Sequence, residues 1–218
     1  MHARIAVFAA AFGAMVVTTA PGGAQPFHLP HQAARQLAPG KLLIAGDGLV
    51  DPNFKESVVL LIDYDQKGAF GLIVNRPTTT AIATILPDYK DRKGASQAVY
   101  FGGPVETPGV MALLRNATAT AGATPVIGDV QLVSTPTLLD KSVSAGAGPD
   151  RFRVYVGYAG WAAGQLERET VLGSWHIMDG DANLVFDPEP DSLWRREAPR
   201  PGQRTASILP TPPGSALY

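Results

Sequence analysis

Few side chains in this sequence have the type and spacing to do chemistry. His28 and His31 stand in an H-x-x-H spacing that could grip a metal. Both fall in a polar, proline-punctuated stretch, and a built metal site needs rigid support, further ligands and a second shell. His176 follows Trp175 in a short apolar run and reads as a packed or half-exposed histidine rather than a base. Asp179-Gly180-Asp181-Ala182-Asn183 imitates the start of a calcium loop. The imitation fails because Leu184 replaces the turn glycine of position 6 and Pro190 the bidentate glutamate of position 12. With no cysteine in the chain there is no thiolate nucleophile, no disulfide framework and no Cys zinc site. The phosphate loop, the nucleophile elbow, the dinucleotide-binding glycines and the H-E-x-x-H helix are also absent. Asp51 and Glu167 are the carboxylates that an unrecognised hydrolase would use as base. No catalytic residue, metal site or cofactor is assigned.

What remains is a set of turn-like clusters: Asp51-Pro52-Asn53-Phe54, Asn75-Arg76-Pro77, Gly102-Gly103-Pro104 and the run from Gly157 to Gln165. Each ends or follows an expected strand, where loops carried on a sheet often form a ligand site. Asp51 and Asn75 can close Asx-turns, and Gly102 and Gly103 can hold backbone conformations closed to other residues. Arg76 could pair with an anion. Glu167, near a helix start, suits the positive end of the helix dipole. Together with Trp161 and Gln165 these residues form the candidate binding set, for an unknown small ligand or an envelope protein. The plainer account is that all four clusters are turns and caps that tie a sheet together.

The elements that must carry these clusters are short. Ser57–Tyr64 (SVVLLIDY) and Ala69–Asn75 (AFGLIVN) are near-continuously apolar, the pattern of strands buried on both faces. Asp65-Gln66-Lys67-Gly68 between them is a hairpin turn. Lys41–Ala45, Ala98–Phe101, Val110–Leu114, Val130–Val133, Arg153–Tyr158, Trp175–Met178 and Leu184–Phe186 read as further strands. Ala81–Leu86, Thr135–Val143, Gly164–Leu172 and Ser192–Glu197 read as helices. Strands outnumber helices without strict alternation, which argues against a doubly wound fold. The expected architecture is α+β: a single domain with a bent, largely antiparallel sheet that forms a pseudo-barrel flanked by short helices.

The ends of the chain are different in kind. Arg4, the 13-residue apolar run Ile5–Val17 and the small residues Gly22-Gly23-Ala24 have the order of an export signal cleaved after Ala24. The run is too short to span a bilayer, which needs about 20 apolar residues. The expected organisation is a signal peptide at 1–24, an extended arm at 25–39, the domain at 40–198 and a disordered proline-rich tail at 199–218. No other stretch approaches membrane-spanning length. After cleavage 17 basic and 19 acidic residues remain, so no global basic face invites nucleic acid. The expected location is the periplasm, or the cytoplasm if translation starts at Met15.

Read together, the clusters resemble the YqgE/AlgH family. Gly40-Lys41-Leu42-Leu43-Ile44-Ala45, Asp51-Pro52-Asn53-Phe54 with Ser57-Val58-Val59, and Gly68-Ala69-Phe70-Gly71-Leu72-Ile73-Val74-Asn75-Arg76-Pro77 resemble its N-terminal half. Gly102-Gly103-Pro104-Val105 is similar to its central motif. Gly157-Tyr158-Ala159-Gly160-Trp161, with Gly164-Gln165-Leu166-Glu167 and Trp175, is similar to its C-terminal one. The resemblance implies an α+β domain with a pseudo-barrel sheet and no established enzymatic activity; some members are linked to transcriptional regulation of exopolysaccharide production. This chain departs by its export signal, and by Asp63-Tyr64-Asp65 where an acid-His-Asn run is common. The leading expectation is a non-catalytic binding or regulatory protein of the cell envelope. A cytoplasmic regulator of transcription, if the start is Met15, and a hydrolase using Glu167 or Asp51 are the alternatives.

Overall fold

In a computed structural model of the chain, residues 36–199 are described. The expected export signal, the His28/His31 pair, most of the arm and all but the first residue of the proline-rich tail lie outside the described residues. At the inner end of the arm, Leu37 is buried among apolar side chains, and the Ala38 carbonyl accepts from the Lys41 N–H.

The apolar run of residues 58–62 explains the layering. In β2 (Val58–Asp65) Val58, Leu60 and Ile62 face one core cluster, while Val59 and Leu61 face another. Side chains alternate across a strand, so five consecutive apolar residues require cover on both faces. β1 (Leu42–Ala45) and β3 (Gly68–Ile73) repeat the division: Leu42, Ile44 and Leu72 go to one side, Leu43, Ala45 and Ile73 to the other. Full burial of each such side chain stabilises the fold by about 1.5–3 kcal/mol.

The chain continues with β4 (Pro77–Ala81), α1 (Ile82–Ile85) and a 3₁₀ turn at Pro87–Tyr89, then β5 (Ala98–Phe101), β6 (Val105–Arg115), β7 (Ala123–Ile127) and β8 (Val130–Val133). After α2 (Pro136–Ala145) come β9 (Phe152–Ala162), α3 (Gln165–Val171), β10 (Trp175–Met178), α4 (Ala182–Val185) and α5 (Pro190–Glu197). The sheet runs β10-β1-β2-β3-β9-β6-β8-β7, with β4 and β5 attached beside β9. All its pairings are antiparallel except β5 with β9. The architecture is therefore α+β, with a curled, largely antiparallel sheet and a few short helices. Among the described residues no helix is long and apolar enough to cross a membrane.

β9 curls the sheet. Its first half pairs with β6 and its last four residues with β3. The two ends of the sheet then meet where Gly180 lies against the Gly40 carbonyl and Gly40 against Val126 and Ile127. The curl encloses an inner core of Leu42, Leu60, Leu113, Val130 and Tyr155, closed at one end by Val185, Phe186 and Leu193. On the outer surface Leu166 of α3 covers one half, and Leu138, Leu139 and Val143 of α2 cover the other.

Three expectations are corrected. Leu184–Phe186 is not a strand: residues 182–185 are helical, with Asp181 as cap, its Oδ1 accepting from the Asn183 N–H at 2.7 Å. A three-residue apolar run has no period of its own, so the cap decides. β4 and β7 form where no strand was expected, because Pro77 and Pro125 argue against strands. Pro77 opens its strand and Pro125 lies on the sheet's edge strand, positions where a missing N–H is tolerated.

Candidate functional site

The four expected clusters do meet, at the corner where β9 bends. Asn75 follows β3 and is buried; its Oδ1 accepts from the Val58 N–H at 2.8 Å and its Nδ2 donates to the Glu56 carbonyl at 3.0 Å. Glu56 has φ 57°, a left-handed conformation that side chains disfavour, and the Asn75 amide holds it there. Arg76 donates to the carbonyls of Asn53 (2.5 Å) and Lys55 (2.6 Å), with its guanidinium 5.9 Å from the centre of the Phe101 ring. Burial pulls the Arg76 pKa down, while the Asp51 and Glu56 charges push it up. Asp51 closes an Asx-turn on the Asn53 N–H at 2.8 Å.

Gly102 and Gly103 lie back to back with β9. Gly103 has φ 150° and Gly157 φ 70°, and a Cβ on Gly157 would overlap the Gly103 carbonyl oxygen. These glycines permit the close backbone approach that turns the strand.

Beyond the bend, the site candidates serve an aromatic cluster. Phe54 stacks on Trp161 at 6.1 Å between ring centres and meets the edge of Trp175 at 5.6 Å, and the two tryptophans meet edge to face at 5.8 Å. Glu169, a residue sequence reasoning passed over, is its hub. Its Oε2 accepts from Trp161 Nε1 at 2.9 Å and Trp175 Nε1 at 2.8 Å, and its Oε1 from Gln165 Nε2 at 2.8 Å. Gln165 Oε1 in turn accepts from the Ala162 N–H. The i, i+4 spacing of Gln165 and Glu169 on α3 was the available signal. Glu167 accepts from the Tyr64 hydroxyl at 2.7 Å, and the Tyr64 pKa rises to about 12, first through burial and then through that bond and the Glu167 charge. The corner thus brings together Asp51, Asn75, Arg76, Gly102, Gly103, Trp161 and Gln165, while Glu167 on the same helix as Gln165 turns to Tyr64.

A cleft of about 490 Å³ opens elsewhere, at the end of β6 and the starts of β8 and β9. It is lined by Arg115, Asn116, Asp129, Arg151, Phe186 and Pro188, among others. Arg115 Nε donates to Asp129 Oδ2 and Nη2 to Asn183 Oδ1, each at 2.9 Å. The rim at residues 116–120 is held by buried Gln131: its Nε2 donates to the Asn116 and Thr118 carbonyls, and its Oε1 accepts from the Thr120 N–H. Sequence reasoning found none of these residues except Asn183, which it read only as part of a polar turn.

Behind the cleft lies Arg153, 2% exposed. Its guanidinium donates to the carbonyls of Pro149 (2.8 Å), Val185 (2.9 Å) and Asp187 (2.6 Å), and lies 4.7 Å from the Tyr100 ring centre and 5.5 Å from that of Phe186. Among the described residues it forms no salt bridge with a carboxylate; Asp187 pairs with Arg196 instead. A buried cation without a counter-ion is costly unless hydrogen-bonded, and here carbonyls and ring faces do that work. Tyr155, beside it on β9, is fully buried, and burial drives its pKa up while the neighbouring Arg153 charge pulls it down. Among the described residues no group of three or more His, Asp and Glu side chains could hold a metal ion.

Fold and corner together define a class: a glycine-bent, curled-sheet α+β domain with a tryptophan–carboxylate outer layer. The AlgH-like family model (DUF179) matches residues 42–206, and the chain belongs to that family. A UPF0301 protein of Streptomyces avermitilis is 35% identical over 187 residues, which cover 82% of this chain and 94% of that protein. One from Thioalkalivibrio sulfidiphilus is 36% identical over 165 residues, 74% of this chain and 88% of the other. The solution structure of AlgH from Pseudomonas aeruginosa is similar with a TM-score of 0.60 at 28% identity, over 81% of this chain and 90% of that one. The crystal structure of a Corynebacterium diphtheriae protein shares the fold, with a TM-score of 0.59.

Proposed function

We propose that this AlgH-like protein is a non-catalytic binding or regulatory module of the cell envelope, and that its ligand enters the cleft at Arg115 and Arg151. The observation that carries the reading is the fate of the two carboxylates a hydrolase would need. Asp51 is closed on its own turn, Glu167 is bonded to Tyr64, they share no partner, and neither lines the cleft. A general base must lie within hydrogen-bond reach of a substrate proton. The cleft itself offers guanidinium and amide donors beside exposed Pro188, which suits recognition. The envelope location rests on the order of charged, apolar and small residues in positions 1–24.

A thermal-shift screen of the purified chain against small anions, glycans and envelope extracts tests the binding role. A hit that protects the protein supports it; hydrolysis of a screened compound that depends on Glu167 would overturn it. N-terminal sequencing of native material tests the location: a chain starting at Gln25 supports export, and one starting at Met15 sinks it.

A further inference from the structure

We infer that the cleft selects an anion: a small molecule bearing a phosphate or carboxylate on a flat apolar body. The inference rests on the cleft being the ligand site and adds the chemistry of its occupant.

Three observations carry it. Arg151 lines the cleft, is exposed, and its side chain has no partner among the described residues. Arg115 is fixed from two sides through Nε and Nη2, to Asp129 and Asn183, and its Nη1 is left without a partner among the described residues. A guanidinium clamped in this way presents its remaining donor in one direction, the geometry that oxyanions exploit. Beneath both lies the buried Arg153 charge, met by carbonyl oxygens and no carboxylate. The charged groups lining the cleft are Arg115 and Arg151 against Asp129 and Asp150, with buried Arg153 and the Asp187–Arg196 ion pair behind them. A positive charge screened from water projects a stronger field than one in solvent.

The apolar part of the ligand follows from the lining. Pro188 is exposed among the lining residues, beside buried Phe186, so an apolar group on the ligand can rest on Pro188. A phosphate or carboxylate on an aromatic or similarly flat body satisfies both.

The test is an NMR titration of the full chain at low salt with phenyl phosphate, inorganic phosphate and phenyltrimethylammonium, repeated with Arg151→Gln. Phenyl phosphate is expected to shift amides at 115–117, 150–151 and 183–187, and to bind more tightly than inorganic phosphate. Arg151→Gln, which breaks no side-chain hydrogen bond or ion pair among the described residues, should weaken it about tenfold. Lys67→Gln, on the distant β2–β3 hairpin, should leave the affinity unchanged. Unchanged affinity in Arg151→Gln overturns the inference. Shifts from the cation alone, at the same amides, overturn the anion chemistry and keep the cleft as a ligand site. Absence of shifts at these amides with all three probes and with envelope extract removes both.

Discussion

At the bend of β9 the Glu169 carboxylate receives three hydrogen bonds and Arg76 gives two to backbone carbonyls. At the cleft Arg115 keeps an unpartnered nitrogen and the Arg151 side chain has no partner among the described residues. Both regions are built from loops at strand ends, and both contain arginines, carboxylates and aromatic rings. They differ in what the polar groups meet. At the corner both indole N–H groups and the Gln165 amide close on Glu169, and Arg76 is tied down by two backbone carbonyls, so the cluster is a frame. Where donors are held in place but left open, there is room for something else to bind. Residue type therefore separates the two poorly, and what separates them is the Arg151 side chain, exposed and without a partner among the described residues.

Substitutions that cost stability at the corner and none at the cleft sharpen this contrast; the reverse breaks it. Trp161→Ala should have the largest effect, about 4 kcal/mol by urea unfolding, because it empties a buried indole site and frees Glu169. A loss below 1 kcal/mol would mean the aromatic layer is not a frame. Asn75→Ala leaves the buried Val58 N–H without its acceptor and releases the Glu56 turn, at a cost of about 2 kcal/mol.

Tyr64 gives a smaller effect with a defined pH window. The unfolded chain ionises tyrosine near 10, whereas folded Tyr64 holds its proton to about 12. Its contribution is whole below pH 10 and is lost as the pH rises toward 12. Tyr64→Phe should flatten the alkaline decline in melting temperature over that range and remove one late-ionising phenol from the tyrosinate absorbance titration. The smallest change belongs to Arg151→Gln, whose unfolding free energy should stay within about 0.5 kcal/mol of the parent. A larger loss would show that Arg151 supports the fold.

The corner was legible because its constraints are local. A double glycine after a strand, an Asn-Arg-Pro after another and a Gly-x-Ala-Gly-Trp run each announce backbone geometry, and the sheet then brings them together. The continuous run of residues 58–62 likewise declared burial on both faces. The cleft was not legible: Arg115 meets a partner 14 positions away and another 68 positions away. Arg153 misleads for a further reason. In Arg151-Phe152-Arg153-Val154 the alternation suggests a solvated face, yet Arg151 is exposed and Arg153 is buried. Periodicity reports which residues share a side of a strand, and the curl of this sheet turns that side inward further along.

The Arg153 guanidinium also bears on the order of assembly. Its acceptors belong to residues 74, 149, 185 and 187, so two of its four carbonyl partners arrive only with the chain beyond β10. A fragment ending before residue 182 would have to leave an ionised group in its middle either wet or unmet. The segment from residue 182 onward therefore helps to set when this part of the interior becomes dry.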